Sequence, residues 1–388
     1  MKISPRVNSC LTTALKGPDK PAQGNALGLK PRSDGALKGR NEATLRVKVR
    51  PILRPFRAAI ASHQNPRALP WAGLFGLFEA ALVLVRNGPR LCLFFTVFVL
   101  AACSRQHAIP QLSPREWKAW TLPPEGPSLP TPRSVATGNH GELAVLDTAG
   151  RVLIYGPDDV LRRQWQMLEV KVGKPEGLVV LRDGRVVVCD THYHRVVWFD
   201  AQGAWLKDIG RKGEARGEFF YPVGICKDPA ENLYICEYGG HDRVQKFTRE
   251  GEWLATFGSF GTGEGQFQRP SGLAWLDGRL YVADAINNRV LIFSDAGAYL
   301  GLLGEDGRPL AFNLPYDIAP GPDGLLHLIE YGAGRLSRMS AAGRILGQVG
   351  RSGSGEGEFG TPWGLAVDAS GRIFVADTKN RRIVALRL

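Results

Sequence analysis

His192, His194 and His241 are the side chains of this sequence whose chemistry best suits a metal ion. Catalytic zinc takes about three protein ligands and leaves a fourth position open, each imidazole being braced by a further acceptor. His192 and His194 stand two residues apart just after Asp190, and His241 follows Glu237 and a Gly-Gly pair. The three therefore fall in loops beside acids, a set that would serve a metal-assisted lyase or lactonase. The competing reading, and the preferred one, leaves them as histidines on a polar rim. On that reading no catalytic residue, metal ligand or cofactor is assigned.

Acids paired with arginines form a second set with possible chemistry. Asp147, Asp190, Glu237, Asp284, Glu330 and Asp377 are each followed within six residues by Arg151, Arg195, Arg243, Arg289, Arg335 or Arg382. A ring of catalytic carboxylates is one interpretation. Recurrence in every unit favours another, in which each pair fixes a loop and cancels charges that would be costly to bury alone. Cys189, Cys226 and Cys236 show no disulfide spacing and replace alanines of sister segments, so they read as small core residues. His327 stands where sister segments have Tyr234, Tyr281 and Phe374, and reads as core for the same reason.

The elements that hold these groups repeat. Pro132, Pro175, Pro222, Pro270, Pro315 and Pro362 open six similar segments at spacings of 43, 47, 48, 45 and 47 residues. A period near 45 residues points to blades. In the fourth segment Pro270-Ser-Gly-Leu-Ala-Trp275 runs to an Asp277-Gly278 turn, then Arg279-Leu-Tyr-Val-Ala-Asp284, Asn288-Arg-Val-Leu-Ile-Phe293 and Gly297-Ala-Tyr-Leu300. Short β-branched and aromatic runs between hairpin turns predict four antiparallel strands per unit. Residues 131–388 are thus expected to be all-β, a six-bladed β-propeller. The last segment ends after its third strand, leaving an edge with unpaired backbone groups. Glu116-Trp-Lys-Ala-Trp-Thr-Leu122 is the segment expected to fill it.

In this architecture the residues after the opening prolines ring the channel mouth: Arg133, Glu176, Val223, Ser271, Tyr316 and Trp363. Two aromatics, an acid and a base suit a polar ligand with an apolar part. Tyr238 and Tyr331, with Tyr316 and Trp363, are expected to serve as aromatic anchors, and His192 and His241 to stand at the rim. Phe219, Phe267, Phe312 and Phe359 recur three residues before an opening proline and are expected to pack between blades. The loop Gly261-Thr-Gly-Glu-Gly265 imitates a nucleotide loop, but no helix follows it to cradle a phosphate.

Pro-Ser-Gly-Leu at 270–273, Leu-Tyr-Val-Ala-Asp at 280–284 and Asn-Asn-Arg-Val at 287–290 resemble the NHL repeat, and the similarity extends over 131–388. Ser134 and Asp317 depart from it at the glycine position, which puts the geometry of blades one and five in question. Six-bladed relatives include zinc-dependent lyases and calcium-dependent lactonases. In the peptide-amidating lyases the zinc histidine follows an opening proline, and no such position here holds histidine. The resemblance implies the fold more strongly than any activity.

Residues 1–90 hold 16 Lys+Arg against 4 Asp+Glu, so the net charge of +12 belongs to them, and 91–388 are balanced. That excludes a globally basic nucleic-acid reader. Residues 1–84 are rich in Pro, Gly and basic side chains, and are expected to be disordered or a mis-annotated extension, with the true start near 83–85. Apolar runs at 71–85 and 91–102 flank Arg86 and Arg90. The second run ends in Leu100-Ala101-Ala102-Cys103, which resembles a bacterial lipobox, so 85–103 reads as a lipoprotein signal with lipid on Cys103. Residues 104–130 then form a proline-rich tether that includes the closing strand. These features together lead to a monomeric, lipid-anchored protein on the extracytoplasmic side of a bacterial membrane. Its expected role is to bind an envelope protein, a peptide or a glycan and no nucleic acid, the alternative being the metal-dependent lyase or lactonase.

Overall fold

The computed structural model describes residues 109–305 and 308–388. The segment 1–84, the signal at 85–103 and its Cys103 lie outside the described residues. Among the described residues no helix is long and apolar enough to cross a membrane. Six four-stranded antiparallel sheets make up the fold. In blade four the strands are Pro270–Leu276, Arg279–Asp284, Arg289–Ser294 and Tyr299–Leu302, each paired with its predecessor. Asp277 and Gly278, with φ of 50° and 74°, form the two-residue turn that the twist of a tight hairpin requires. The second strands are buried along their length, as in Val186–Asp190, because a neighbouring blade covers each face. Outer strands alternate instead: Trp253–Phe257 is half-buried at every other residue.

Apolar side chains do not gather in one core. They form six clusters, each shared by two successive blades; the one that joins blades six and one holds Phe374, Ile383 and Ala385 with Val145, Leu153 and Tyr155. A cluster at every junction, this one included, makes the disc a closed ring. Phe219, Phe267 and Phe359 are fully buried and Phe312 nearly so, each wedged at a blade junction.

Blade six is composite. Glu116–Thr121 pairs antiparallel with Arg382–Arg387, from Glu116 opposite Arg387 to Thr121 opposite Arg382. The chain before and after this strand is also held. The Leu112 N–H donates to Gln348 O and the Gln348 N–H to Pro110 O, which adds residues 110–112 to the outer edge of blade five. Arg151 of blade one donates to the carbonyl oxygens of Pro123 and Pro124. From Pro110 onward the expected tether is therefore part of the disc. The reason is that open sheet edges on two blades offer unpaired donors and acceptors, which this extended, proline-rich chain can satisfy.

Blades one and five keep the common geometry despite Ser134 and Asp317. Each has the same register shift after its opening proline as blades three and four. Glycine stands at that position elsewhere because the next inner strand passes so close. A Cβ on Gly177 would lie 2.0 Å from Val223 O, and one on Gly224 would lie 2.0 Å from Ser271 O.

Candidate functional site

The six acid–arginine pairs close at 2.5–2.9 Å, and all six carboxylates are fully buried. Burial pushes the carboxyl of Asp284 above the usual carboxylate range, against hydrogen bonds from Asn287, Gln268 N–H and Arg289. Arg289 goes on to donate to Thr262 O, Gly263 O and Gln266 O in the loop that arrives from blade three. Arg243 and Arg382 do the same in their own blades. These groups clamp loops, and most of their donors and acceptors are used in doing so, Asp190 Oδ1 being the one carboxylate oxygen of the six pairs that is buried without a partner among the described residues.

The loop histidines each have a partner of their own. His192 Nδ1 faces Lys174 O at 3.2 Å, and His194 Nδ1 is bonded to Phe220 O. His241 stacks on Phe220 and pairs through Nε2 with Glu214 at 3.0 Å. Among the described residues no three His, Cys, Asp or Glu side chains gather to hold a metal. His192, His194 and His241 thus do not present the three-ligand set that zinc takes. His327 is buried, and burial lowers it to about 4.

The residues that do converge are at the channel mouth, where five side chains from five blades close a circuit. Arg133 Nη2 donates to Glu176 at 3.1 Å. The other carboxylate oxygen of Glu176 lies 4.0 Å from Arg269. Arg269 Nη2 donates to the Tyr316 hydroxyl at 3.0 Å. Tyr316 stacks on Trp363 with ring centres 5.2 Å apart, and the Arg133 guanidinium lies 4.3 Å from the Trp363 ring centre. Tyr331 leans on Tyr316, while Tyr238 sits under Arg269 and stacks on Tyr221, whose ring His192 and His194 approach.

Arg269 and Tyr221 were not singled out from the sequence. Arg269 precedes its proline, and its reach across the mouth follows from a left-handed backbone, φ 59°, held by its N–H on Asp242. Leu314 and Thr361 hold the same conformation before their prolines, so the only signal for Arg269 was its side chain at that spacing. Ser271 lines the cavity, but its hydroxyl donates to backbone carbonyls of Ala283 and Pro315 rather than into the circuit. Val223 lines it as an apolar wall.

Below the mouth lies a cavity of about 260 Å³ walled by the six inner strands. Asp317 reaches into it, its carboxylate accepting the N–H groups of Ile318 and Leu365 at 2.9 and 2.8 Å. Burial pushes this carboxyl up to about 7. A carboxyl raised above its unfolded value supports the fold fully only below that value, and the support is lost as pH rises through 7. Asp317→Asn gives up one of these two acceptors but no longer titrates, so relative to the parent it is expected to gain about 2–3 kcal/mol of stability between pH 5 and pH 8. Urea midpoints of both proteins at the two pH values measure it, and an equal difference at both would refute the burial argument.

Against known proteins, residues 173–199 and 359–386 match the NHL repeat model. The disc is a six-bladed β-propeller carrying NHL repeats. NHL repeat-containing protein 3 of Homo sapiens is 32% identical over 97 residues, 24% of this chain and 28% of that protein. Protein lin-41 of Caenorhabditis elegans is 49% identical over 45 residues, which cover 12% of this chain and 4% of that protein. The chain thus spans under a third of these relatives. Among solved structures it is similar to a gluconolactonase of Xanthomonas campestris, with TM-score 0.54, 17% identity and coverage of 72% of this chain and 95% of the other. It is also similar to virginiamycin B lyase of Staphylococcus aureus, with TM-score 0.51, 15% identity and coverage of 70% and 99%. At such identities the likeness shows the fold alone.

Proposed function

We propose that this NHL propeller is a lipid-anchored binding or scaffold protein of the bacterial cell envelope, which takes a protein, peptide or glycan partner at its channel mouth. The observation that carries the reading is the mouth circuit itself. Acids and histidines elsewhere on that face are tied to loops, whereas Arg133, Glu176, Arg269, Tyr316 and Trp363 face a common opening. Aromatic and arginine side chains grouped around a pocket are the groups that most often dominate binding energy. The balanced charge of 91–388 argues against nucleic acid as partner. Attachment through Cys103 rests on the apolar run and the Leu-Ala-Ala-Cys ending that precede the disc. Two or three acyl chains would hold the protein on its membrane far longer than one.

Trp363→Ala with Tyr316→Ala is expected to abolish capture of the partner in envelope crosslinking followed by mass spectrometry, while the melting temperature falls by no more than a few degrees. Capture that survives the double substitution would remove the mouth as the binding face. Mass analysis of the native N-terminus tests the anchor: an acylated Cys103 as first residue supports it, and an unmodified Cys103 within a longer chain opposes it.

A further inference from the structure

The mouth contains two guanidinium groups and one carboxylate. Glu176 is the single acid of the circuit, shared between Arg133 at 3.1 Å and Arg269 at 4.0 Å. Asp242 lies outside the circuit and accepts the backbone N–H groups of Gly240 and Arg269. The side chains of the circuit therefore carry one more positive than negative charge, in a partly enclosed place where charge interactions are stronger than in water.

Donors are also left over. A guanidinium carries five N–H donors in a fixed fork suited to a carboxylate. Among the described residues, the Arg269 side chain makes one hydrogen bond, to the Tyr316 hydroxyl, and Arg133 Nε is buried with no partner. Trp363, Tyr316 and Tyr238 border these two arginines, with Tyr331 behind Tyr316, and supply rigid apolar surface with little conformational freedom to lose. Asp317 puts a carboxyl in the layer beneath, so an anion gains at the mouth and is opposed further down the channel.

From this we infer that the mouth is a receptor for a single carboxylate carried on an aromatic or apolar arm, such as the C-terminal end or an acidic residue of a partner peptide. The inference deepens the binding role proposed above and rests on it. Glu176 acts as an internal competitor that occupies the arginines until the ligand's carboxylate shares or replaces it. The circuit's single excess positive charge favours a monoanion over a phosphate dianion.

The test uses the purified full chain with three probes, N-acetyl-tryptophan, its carboxamide and phenyl phosphate, titrated by calorimetry and by the ¹⁵Nε signals of Arg133 and Arg269. The acid is expected to bind about ten-fold or more tighter than the amide, since hydrogen bonds to charged groups are worth that much, and to shift both arginine signals. Glu176→Gln should tighten the acid about three- to ten-fold, and Arg269→Gln should weaken it by about ten-fold or more. Equal binding of acid and amide, no tightening in Glu176→Gln, or no binding of the acid at 10-millimolar scale (roughly the weak limit for one ion pair) would overturn the inference. Tighter binding of phenyl phosphate would overturn the carboxylate assignment. Failure here leaves the crosslinking experiment unaffected: a partner lost on Trp363→Ala with no acid preference refutes the ligand class alone, whereas acid binding with the partner retained refutes the binding face alone.

Discussion

A chain shortened to begin at Glu125 is expected to lose at least about 10 °C of melting temperature, far more than removal of an ordinary tail costs. Three contributions go together. The six-residue pairing of Glu116–Thr121 with Arg382–Arg387 disappears, and with it hydrogen bonds worth about 1 kcal/mol each when buried or edge-protected. Trp117 loses its contact with Phe359, Trp120 its contact with Tyr155, and buried Leu122 its place in the cluster that joins blades six and one. Burial of such side chains contributes about 1.5–3 kcal/mol apiece. Even half that total exceeds about 5 kcal/mol, and each kilocalorie moves the midpoint of a domain this size by about 2–4 °C. Calorimetry of the shortened and parent chains decides it. An unchanged midpoint would mean that the ring closes without this strand. Adding a peptide of residues 109–124 in trans should restore the transition, which separates loss of the strand from general misfolding.

The second large effect is expected at the acid–arginine clamps. Asp284→Ala should cost about 3–5 kcal/mol, because it leaves Arg289, Asn287 and the Gln268 N–H without their shared acceptor. The same substitution at Asp377 should cost a similar amount, since that carboxylate likewise binds an asparagine, an arginine and a backbone N–H. Arg335→Ala in blade five should cost less than Arg289→Ala. Arg335 is 34% exposed against 16% for Arg289, and among the described residues its hydrogen bonds go only to Glu330, so fewer groups lose a partner. Urea denaturation of the four variants measures the order. A cost below about 1 kcal/mol for Asp284→Ala would place the clamp among ordinary surface ion pairs.

Much of this molecule was legible because its information is local and repeated. An Asp-Gly pair between two apolar runs predicts a hairpin, and the structure forms it with both residues at positive φ. The acid–arginine pairs lie within one hairpin, so their spacing alone placed them in contact. The recurring phenylalanines were readable for the same reason, and they lie buried at successive junctions. The anchoring of residues 110–112 to blade five was not readable. A short stretch with proline has no strand pattern, and its partner is more than two hundred residues away.

By itself, then, the sequence determined the number of blades, the order of strands and the clamps, since each depends on alternation, turn chemistry and a count of strands. Only the tertiary structure decided what meets at the axis. Whether His192, His194 and His241 converge, whether Arg269 or Ser271 crosses the mouth, and what Asp317 faces all depend on distances between blades and on the sign of one φ angle. Those quantities are set when six wedges close on one another, and no spacing within a single wedge encodes them.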